Sequence, residues 1–168
     1  MQILKWIGLL VLILVAAVAM IALIGARLPV KHTASRAATF KASPQQVWDA
    51  ITGPPTWRPE VTRYEELPPH DGHRVWVEYG KADRKLTYEV VEAEPPRLLV
   101  TRIADQKLPF GGSWTYEIAP TDGGAMLVII ENGEVYNPIF RFLSRYVMGY
   151  TATMDSYLQA LQKKLSSS

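Results

Sequence analysis

The fold is decided at the C-terminal end of the chain by residues 126–165, MLVIIENGEVYNPIFRFLSRYVMGYTATMDSYLQALQKKL. The β-branched run from Met126 to Tyr136 predicts the last and longest strand of a sheet. Asn137 and Pro138 then mark a helix start, and apolar residues recur every three or four positions as far as about Leu165. We therefore predict a strand that leads into one long terminal helix. Its apolar stripe is Ile139, Leu143, Tyr146, Val147, Tyr150, Met154, Tyr157, Leu158, Leu161 and Leu165.

Shorter strands and one short helix precede this unit. Ser43 and Gln46 form a capping box with Pro44 at the first helical position, which predicts a helix over Pro44–Ile51. Asp122-Gly123-Gly124 predicts a hairpin turn before the last strand. Strands followed by a helix are typical of the α+β class, with the helix laid across an antiparallel sheet. The other predicted strands are Ser35–Lys41, Arg74–Tyr79, Lys85–Glu92, Leu98–Ile103 and Ser113–Ile118.

The N-terminal segment is apolar and contains no charge from Trp6 to Ala26. As a helix it covers roughly 30 Å, the thickness of a hydrocarbon core. A cleaved signal peptide is the competing interpretation, because Ala17-Val18-Ala19 fits a cleavage site. The apolar run continues beyond Ala19, which favours a retained transmembrane anchor. We predict an anchor over 1–26, a stem over 27–34 and one folded domain over 35–165.

The side of the membrane on which the domain lies is not determined by the flanking charges. More basic residues follow the apolar segment than precede it, which favours a cytoplasmic domain. A short basic tail ahead of an N-terminal apolar run is equally typical of an exporting signal-anchor. Both orientations therefore stay open.

Composition excludes several kinds of chemistry. The chain has no cysteine, so disulfides, thiolate metal sites and a cysteine nucleophile are absent. A net charge of +2 does not favour a nucleic-acid partner. His32 lies in the predicted stem, and His70 and His73 flank Asp71-Gly72 in a predicted solvated turn. We therefore predict no metal and no cofactor.

The order of these elements, with their residues, resembles the helix-grip fold of the START/Bet v 1-like superfamily, including its polyketide cyclase-type proteins. The apolar N-terminal segment is similar to that of membrane-attached bacterial members. Glu60 departs from the pattern, since many relatives carry a second tryptophan there. The matching segments are 35–40, 42–48, Trp57 with Pro59, 111–118, and 132–136 leading into the terminal helix.

This resemblance implies a curved antiparallel sheet that grips the long helix, with an elongated cavity between them. Relatives bind lipids, sterols, polyketides or other apolar molecules there; some catalyse cyclisation or hydration, and many only bind. Aromatic residues alternate on the predicted strands, so they can line such a cavity or fill it. The predicted ligand-binding residues are Trp76, Tyr88, Arg102, Trp114, Tyr116, Tyr146, Tyr150 and Met154.

Glu131 is the candidate catalytic residue. It shares its alternation with Leu127 and Ile129 and is therefore expected to face inward. A buried glutamate needs a partner such as Arg102, and it can then act as a general acid or base. An outward position or a structural ion pair is the competing interpretation.

The first turns of the terminal helix, 139–145, are apolar nearly all round. They are expected either to touch a bilayer or partner, or to lie beneath the loop at Pro109-Phe110. The leading functional hypothesis is a bilayer-anchored module that binds a hydrophobic or lipid-like small molecule. The alternatives are a cyclase-like or hydrating enzyme and an interaction module whose cavity is filled. The oligomeric state is not predicted.

Overall fold

The computed structural model describes residues 2–82 and 84–167; Met1, Asp83 and Ser168 lie outside the described residues. The strands are β1 (Lys31–Phe40), β2 (Val61–His70), β3 (His73–Gly80), β4 (Lys85–Glu94), β5 (Leu98–Ile103), β6 (Phe110–Thr121) and β7 (Gly124–Val135). They form one antiparallel sheet in the order β1-β7-β6-β5-β4-β3-β2. The helices are α1 (Gln2–Arg27), α2 (Pro44–Thr52), α3 (Pro138–Leu143) and α4 (Ala152–Ser166), with a 3₁₀ turn at Pro55–Trp57.

The core lies where α2 and α4 cover one end of the curved sheet. Met154 and Leu161 of α4 are fully buried, and they belong to one cluster with Phe40, Leu127 and Ile129 from β1 and β7. Side chains at alternate positions of a strand point to one face, so the hydrophobic residues of β7 meet the helix together. The predicted α+β helix-grip fold is confirmed.

Helix α2 begins as the sequence predicts. The Ser43 side chain accepts from the Gln46 backbone N–H at 3.2 Å, and the Gln46 side chain accepts from the Ser43 N–H at 2.8 Å. Both bonds satisfy backbone donors that a helix start leaves unpaired. The helix then buries Val47 and Trp48 in the core. This local capping fixes where the chain leaves β1 and turns across the sheet.

The single long terminal helix of the prediction is wrong. Helix α3 ends at Leu143, a π-helical turn covers Ser144–Met148, and the chain breaks before α4. Gly149 has φ +74°, a left-handed conformation that interrupts a right-handed helix and suits glycine. The apolar stripe is therefore broken, and Tyr146 and Val147 point outward.

Strand β2 was not predicted at all. Its alternation is obscured by Glu65-Glu66 and Pro68-Pro69, and it pairs only with β3 at the edge of the sheet. Prolines and charged residues are tolerated on edge strands, because one side of the backbone needs no partner. The predicted turn between His70 and His73 is present, with positive φ at Asp71 and Gly72.

Strand β1 begins at Lys31, four residues before its predicted start at Ser35. Its polar first residues show no hydrophobic pattern, but pairing with β7 holds them extended, with His32 opposite Gly133. Only the three residues 28–30 then connect α1 to β1. Helix α1 has the length and the apolar composition needed to cross a membrane. A signal sequence near an N-terminus meets the same two criteria.

Candidate functional site

A large cavity lies between the sheet and the elements that cross it. Its volume is about 810 Å³, and its walls come from strands β1 to β7, helices α2, α3 and α4, the 3₁₀ turn and the segment around Gly149. Most of the lining side chains are apolar or aromatic, as in sites for small hydrophobic molecules. The cavity is therefore not filled by its own side chains, as the interaction-module alternative expected.

Most of the predicted binding residues lie at this cavity. The lining includes Trp76, Tyr88, Arg102, Trp114, Tyr116, Glu131 and Tyr150. Two predicted residues are absent from it. Met154 is fully buried in the core, and Tyr146 is 60% exposed because the break at Gly149 turns its segment away from α4. The binding role of the lining residues stays a prediction.

Aromatic rings form one wall around Tyr157 of α4. The Tyr157 ring centroid lies 5.2 Å from that of Trp57, 5.6 Å from Trp114 and 5.8 Å from Tyr116, in edge and tilted arrangements. Such arrangements suit the quadrupoles of aromatic rings and hold their orientations. The predicted cavity aromatics of β6 are thus packed against the terminal helix and leave the remaining space open.

A buried ion pair lies beside this aromatic wall, with the Arg58 guanidinium 5.5 Å from the Tyr157 ring centroid. The Arg58 side chain is 14% exposed and the Glu78 side chain 7% exposed, and Arg58 Nη2 donates a hydrogen bond to Glu78 Oε2. Trp76 Nε1 also donates to Glu78, at 3.1 Å. Arg58 Nε is 3.2 Å from Glu60, but it is poorly aligned and has no hydrogen-bond partner. Arg58 was not among the residues predicted for the cavity.

The charge of Arg58 is retained despite its burial. Burial by itself lowers the pKa of Arg58. The Glu78 carboxylate and the nearby tyrosines raise the pKa by more than burial lowers it, so the net shift is upward. The guanidinium therefore stays protonated and places a fixed positive charge beside Glu78 in the cavity wall. This pair gives a mostly apolar cavity a strongly polar group.

Three tyrosines of the cavity are expected to resist ionisation. Burial raises the pKa values of Tyr88, Tyr116 and Tyr157 above the ordinary value of 10.0. Because the folded state holds these protons more tightly than the unfolded state, their contribution to stability is complete below pH 10 and is lost as the pH rises through the folded values. We expect these three of the eight tyrosines to ionise only as the protein unfolds.

An alkaline titration of the full chain in detergent tests this expectation. Phenolate absorbance and circular dichroism are followed together, with chain unfolded in guanidinium as the control. A cooperative final step should coincide with loss of secondary structure. Complete ionisation of all tyrosines in protein that remains folded would contradict the buried positions of these hydroxyls.

Glu131 lies inside, but its partners differ from the expected one. Glu131 Oε1 accepts from His32 Nε2 at 3.2 Å, and Oε2 accepts from Trp114 Nε1 at 2.9 Å. The expected partnership with Arg102 is not formed. Arg102 instead donates twice to Glu89, at 2.9 and 2.8 Å, because the two residues are directly opposite each other in β5 and β4.

His32 was predicted to lie in the stem, but it belongs to β1 and lines the cavity. Its ring stacks on Tyr150 with centroids 3.9 Å apart and an angle of 14°. Gly133 lies opposite it, and a Cβ atom there would come within 2.3 Å of His32 Cε1. When Nε2 donates to Glu131, Nδ1 keeps a lone pair, and no hydrogen bond to Nδ1 occurs among the described residues. An imidazole held in this way can exchange a proton with a molecule in the cavity.

The turn histidines show no metal-site geometry. In residues 2–82 and 84–167, no group of three histidine or carboxylate side chains is placed to hold a metal ion. His70 Nδ1 lies 3.5 Å from Glu89 and 3.9 Å from Asp71, with most of the imidazole exposed. This arrangement is that of an exposed imidazole beside the Glu89 carboxylate.

The fold and the cavity define a helix-grip protein with a large internal cavity. Residues 31–166 match the family described as polyketide cyclase / dehydrase and lipid transport. The chain belongs to this family. A search of curated proteins finds no significant match.

Solved structures with the same fold come from proteins of different kinds. A protein from Mesorhizobium loti is 18% identical with a TM-score of 0.63, covering 82% of this chain and 98% of that chain. Norcoclaurine synthase from Thalictrum flavum is 12% identical with a TM-score of 0.62, covering 83% and 88%. The di-domain ARO/CYC StfQ from the steffimycin biosynthetic pathway is 11% identical with a TM-score of 0.65, covering 82% and 52%. At these identities the likeness shows the fold alone.

Proposed function

We propose that this protein is a bilayer-anchored module that binds one mostly apolar, amphipathic small molecule in its cavity. The observation that carries the proposal is the cavity of about 810 Å³, lined mainly by apolar and aromatic side chains with a few buried polar groups. Such a site binds through burial of apolar surface, and its polar groups select the orientation of the ligand. The family name supports a hydrophobic or lipid-like ligand.

The polar groups suggest what the ligand carries. The Arg58–Glu78 pair and the His32–Glu131 pair both line the cavity, and the wall between them is aromatic. A purely hydrocarbon ligand would leave these groups desolvated without new partners, which is unfavourable. The ligand therefore has an apolar body and polar atoms that hydrogen-bond at one or both pairs.

The anchor has a physical purpose in this function. Only residues 28–30 connect α1 to β1, so the cavity stays close to the bilayer that α1 spans. A ligand dissolved in the membrane is then present at a high effective concentration around the domain. The function needs neither a metal nor a cofactor.

Native mass spectrometry of the full chain, released from detergent micelles, tests the binding function. We expect an additional mass that disappears on denaturation, and the released molecule identifies the ligand class. Chain that carries no added mass, and gains none after incubation with a membrane lipid extract, would refute the proposal.

A cavity-filling variant provides the matched control. Thr101 lines the cavity and is 6% exposed, so Thr101→Trp fills part of it. We expect the affinity for the bound molecule to fall at least about tenfold, the effect of 1.4 kcal/mol of lost binding. Thr39 is exposed on the outer face of β1, so Thr39→Trp should retain the added mass. If Thr101→Trp fails to fold, Leu86→Trp fills the same cavity from β4.

A second candidate function is acid–base catalysis on the bound molecule. The observation in its favour is the His32 imidazole, which is oriented by Glu131, stacked on Tyr150 and lines the cavity. A proton taken from a carbon acid of the ligand would pass to His32 Nδ1, and Glu131 would stabilise the resulting imidazolium. Glu131 is then a positioning residue, in place of the direct acid or base that the sequence analysis expected.

Deuterium exchange tests this activity without knowledge of the complete reaction. The co-purified molecule is incubated with the protein in deuterated water, and its isotope content is followed by mass spectrometry. We expect Glu131→Gln to slow exchange about 100-fold or more while the molecule remains bound. Equal exchange rates in wild-type and Glu131→Gln protein would remove the catalytic role and leave the binding function intact.

A further inference from the structure

A patch of large apolar side chains is exposed beside the end of α1. We call it the interfacial patch and define it by the following residues of α3 and the π-helical turn: Phe140, Tyr146, Val147 and Met148. Their exposed fractions range from 46% to 67%. Exposed apolar side chains that lie together on a protein surface mark an interaction site. The patch must therefore be covered in the functional state.

Direct contacts attach the patch to the end of the apolar helix. A Cβ atom on Gly25 of α1 would come within 1.9 Å of the Pro138 carbonyl oxygen, so only glycine permits this approach. Arg141 Nη1 donates to the Leu28 carbonyl at 2.7 Å. Because a helix with its side chains is only about 10–12 Å wide, α3 lies within one helix width of the C-terminal end of α1.

The chemistry of the segment fits a membrane–water interface. Residues 135–154 contain no acidic side chain, and Arg141 and Arg145 lie beside the apolar residues. Aromatic residues are enriched at membrane interfaces, and arginines attract anionic lipid headgroups. Arg27 at the end of α1 adds a third positive charge at the same level.

The same segment forms part of the cavity wall. Phe140, Ser144, Met148, Gly149 and Tyr150 all line the cavity. Phe140 and Met148 therefore belong to the cavity wall and to the exposed patch at once. The backbone here is a π-helical turn followed by the left-handed Gly149, so regular helical hydrogen bonding is interrupted between the cavity and the outside.

We propose that the interfacial patch inserts into the surface of the bilayer that α1 spans, which places this wall of the cavity against the lipid. The inference rests on the proposed function, since it requires α1 to be a membrane anchor. It assigns the bilayer as the occupant of the patch, and it makes the lipid phase the direct source of the ligand.

Single cysteines test the insertion, because the chain has none of its own. Val147→Cys and Tyr146→Cys are labelled with an environment-sensitive fluorophore in the full chain, reconstituted in vesicles of phosphatidylcholine and phosphatidylglycerol. We expect blue-shifted emission and loss of intensity when spin-labelled phosphatidylcholine is added. Gln159→Cys, exposed on α4, is the matched control and should show neither change.

A label at Leu12→Cys in α1 separates the two proposals. If Leu12 is quenched deep in the bilayer while labels at 146 and 147 stay exposed to water, the anchor stands and the insertion is refuted. If Leu12 is not quenched, the anchor is refuted and the insertion with it. Quenching at 12, 146 and 147, but not at 159, supports both.

Discussion

Replacing Arg58 with methionine is expected to lower the free energy of unfolding by about 3–5 kcal/mol, the usual cost of breaking a buried ion pair from one side. Glu78 is 7% exposed, and without Arg58 its hydrogen bond from Trp76 is the one that remains. One hydrogen bond does not compensate a buried carboxylate. Thermal unfolding of the full chain in detergent, followed by tryptophan fluorescence, should show a Tm lower by roughly 6–20 °C.

Two variants make the effect specific to the buried pair. Arg63→Met removes an arginine that is 60% exposed and 3.4 Å from Glu65, and it should cost less than about 1 kcal/mol. Arg58→Met combined with Glu78→Gln should recover much of the lost stability, because no charge is then left without a partner. If Arg58→Met unfolds no earlier than Arg63→Met, the pair does not stabilise the fold.

The Arg58 variant also bears on the ligand. The double variant removes both charges from the cavity wall while the aromatic wall around Tyr157 stays in place. If the ligand uses this pair, the folded double variant should lose its bound molecule or exchange it for a less polar one. Such a result would identify the pair as the polar recognition point of the cavity.

Gly124→Ala is expected to destabilise the fold by about 3 kcal/mol or more, at the upper end of what overpacking costs. A Cβ atom at this position would lie 1.9 Å from the Phe40 carbonyl oxygen and 3.3 Å from the Ala42 backbone nitrogen. Neither atom can move alone, because β1 and β7 are paired from Lys31 to Phe40. Thermal unfolding of the purified variant measures the loss.

Its neighbour supplies the matched control. Gly123 has φ +91° but nothing within 4 Å of a Cβ atom, so Gly123→Ala strains only its own backbone. That strain is expected to cost about 1–2 kcal/mol. A Gly124→Ala variant that is as stable as Gly123→Ala would show that β1 and the turn separate more easily than the structure indicates.

Several features were predictable because neighbours in the chain decide them. The capping box of α2 needs only Ser43 and Gln46, three residues apart. The hairpin between β6 and β7 needs only the Asp122-Gly123-Gly124 turn and the alternation on either side. An apolar segment as long as α1 is evident without any partner. The α+β class then follows from the order of the elements.

Other features could not be predicted from the sequence, because their sequence pattern was weak or because the same pattern also fitted another conformation. The edge strand β2 depends on pairing with β3 and on little of its own sequence. The apolar stripe of the terminal helix continues on both sides of Gly149. Periodicity therefore predicted one continuous helix and did not indicate the positive φ at Gly149. Tyr146 was consequently placed in the cavity, whereas it lies on the outer surface.

The sequence by itself determined the fold class, the N-terminal apolar helix, the inward side of β7 and most of the aromatic residues of the cavity. Only the tertiary structure decided which charged and polar residues meet. His32 and Glu131 are 99 positions apart, and Arg58 and Glu78 are 20 apart. Local periodicity reports which face of an element is apolar, but a partner across the sheet is fixed by strand register and by how the chain returns over it. Glu131 was predicted to face inward, but its pairing with His32, and that of Arg58 with Glu78, became visible only when β1, β3, β7 and the 3₁₀ turn were placed together.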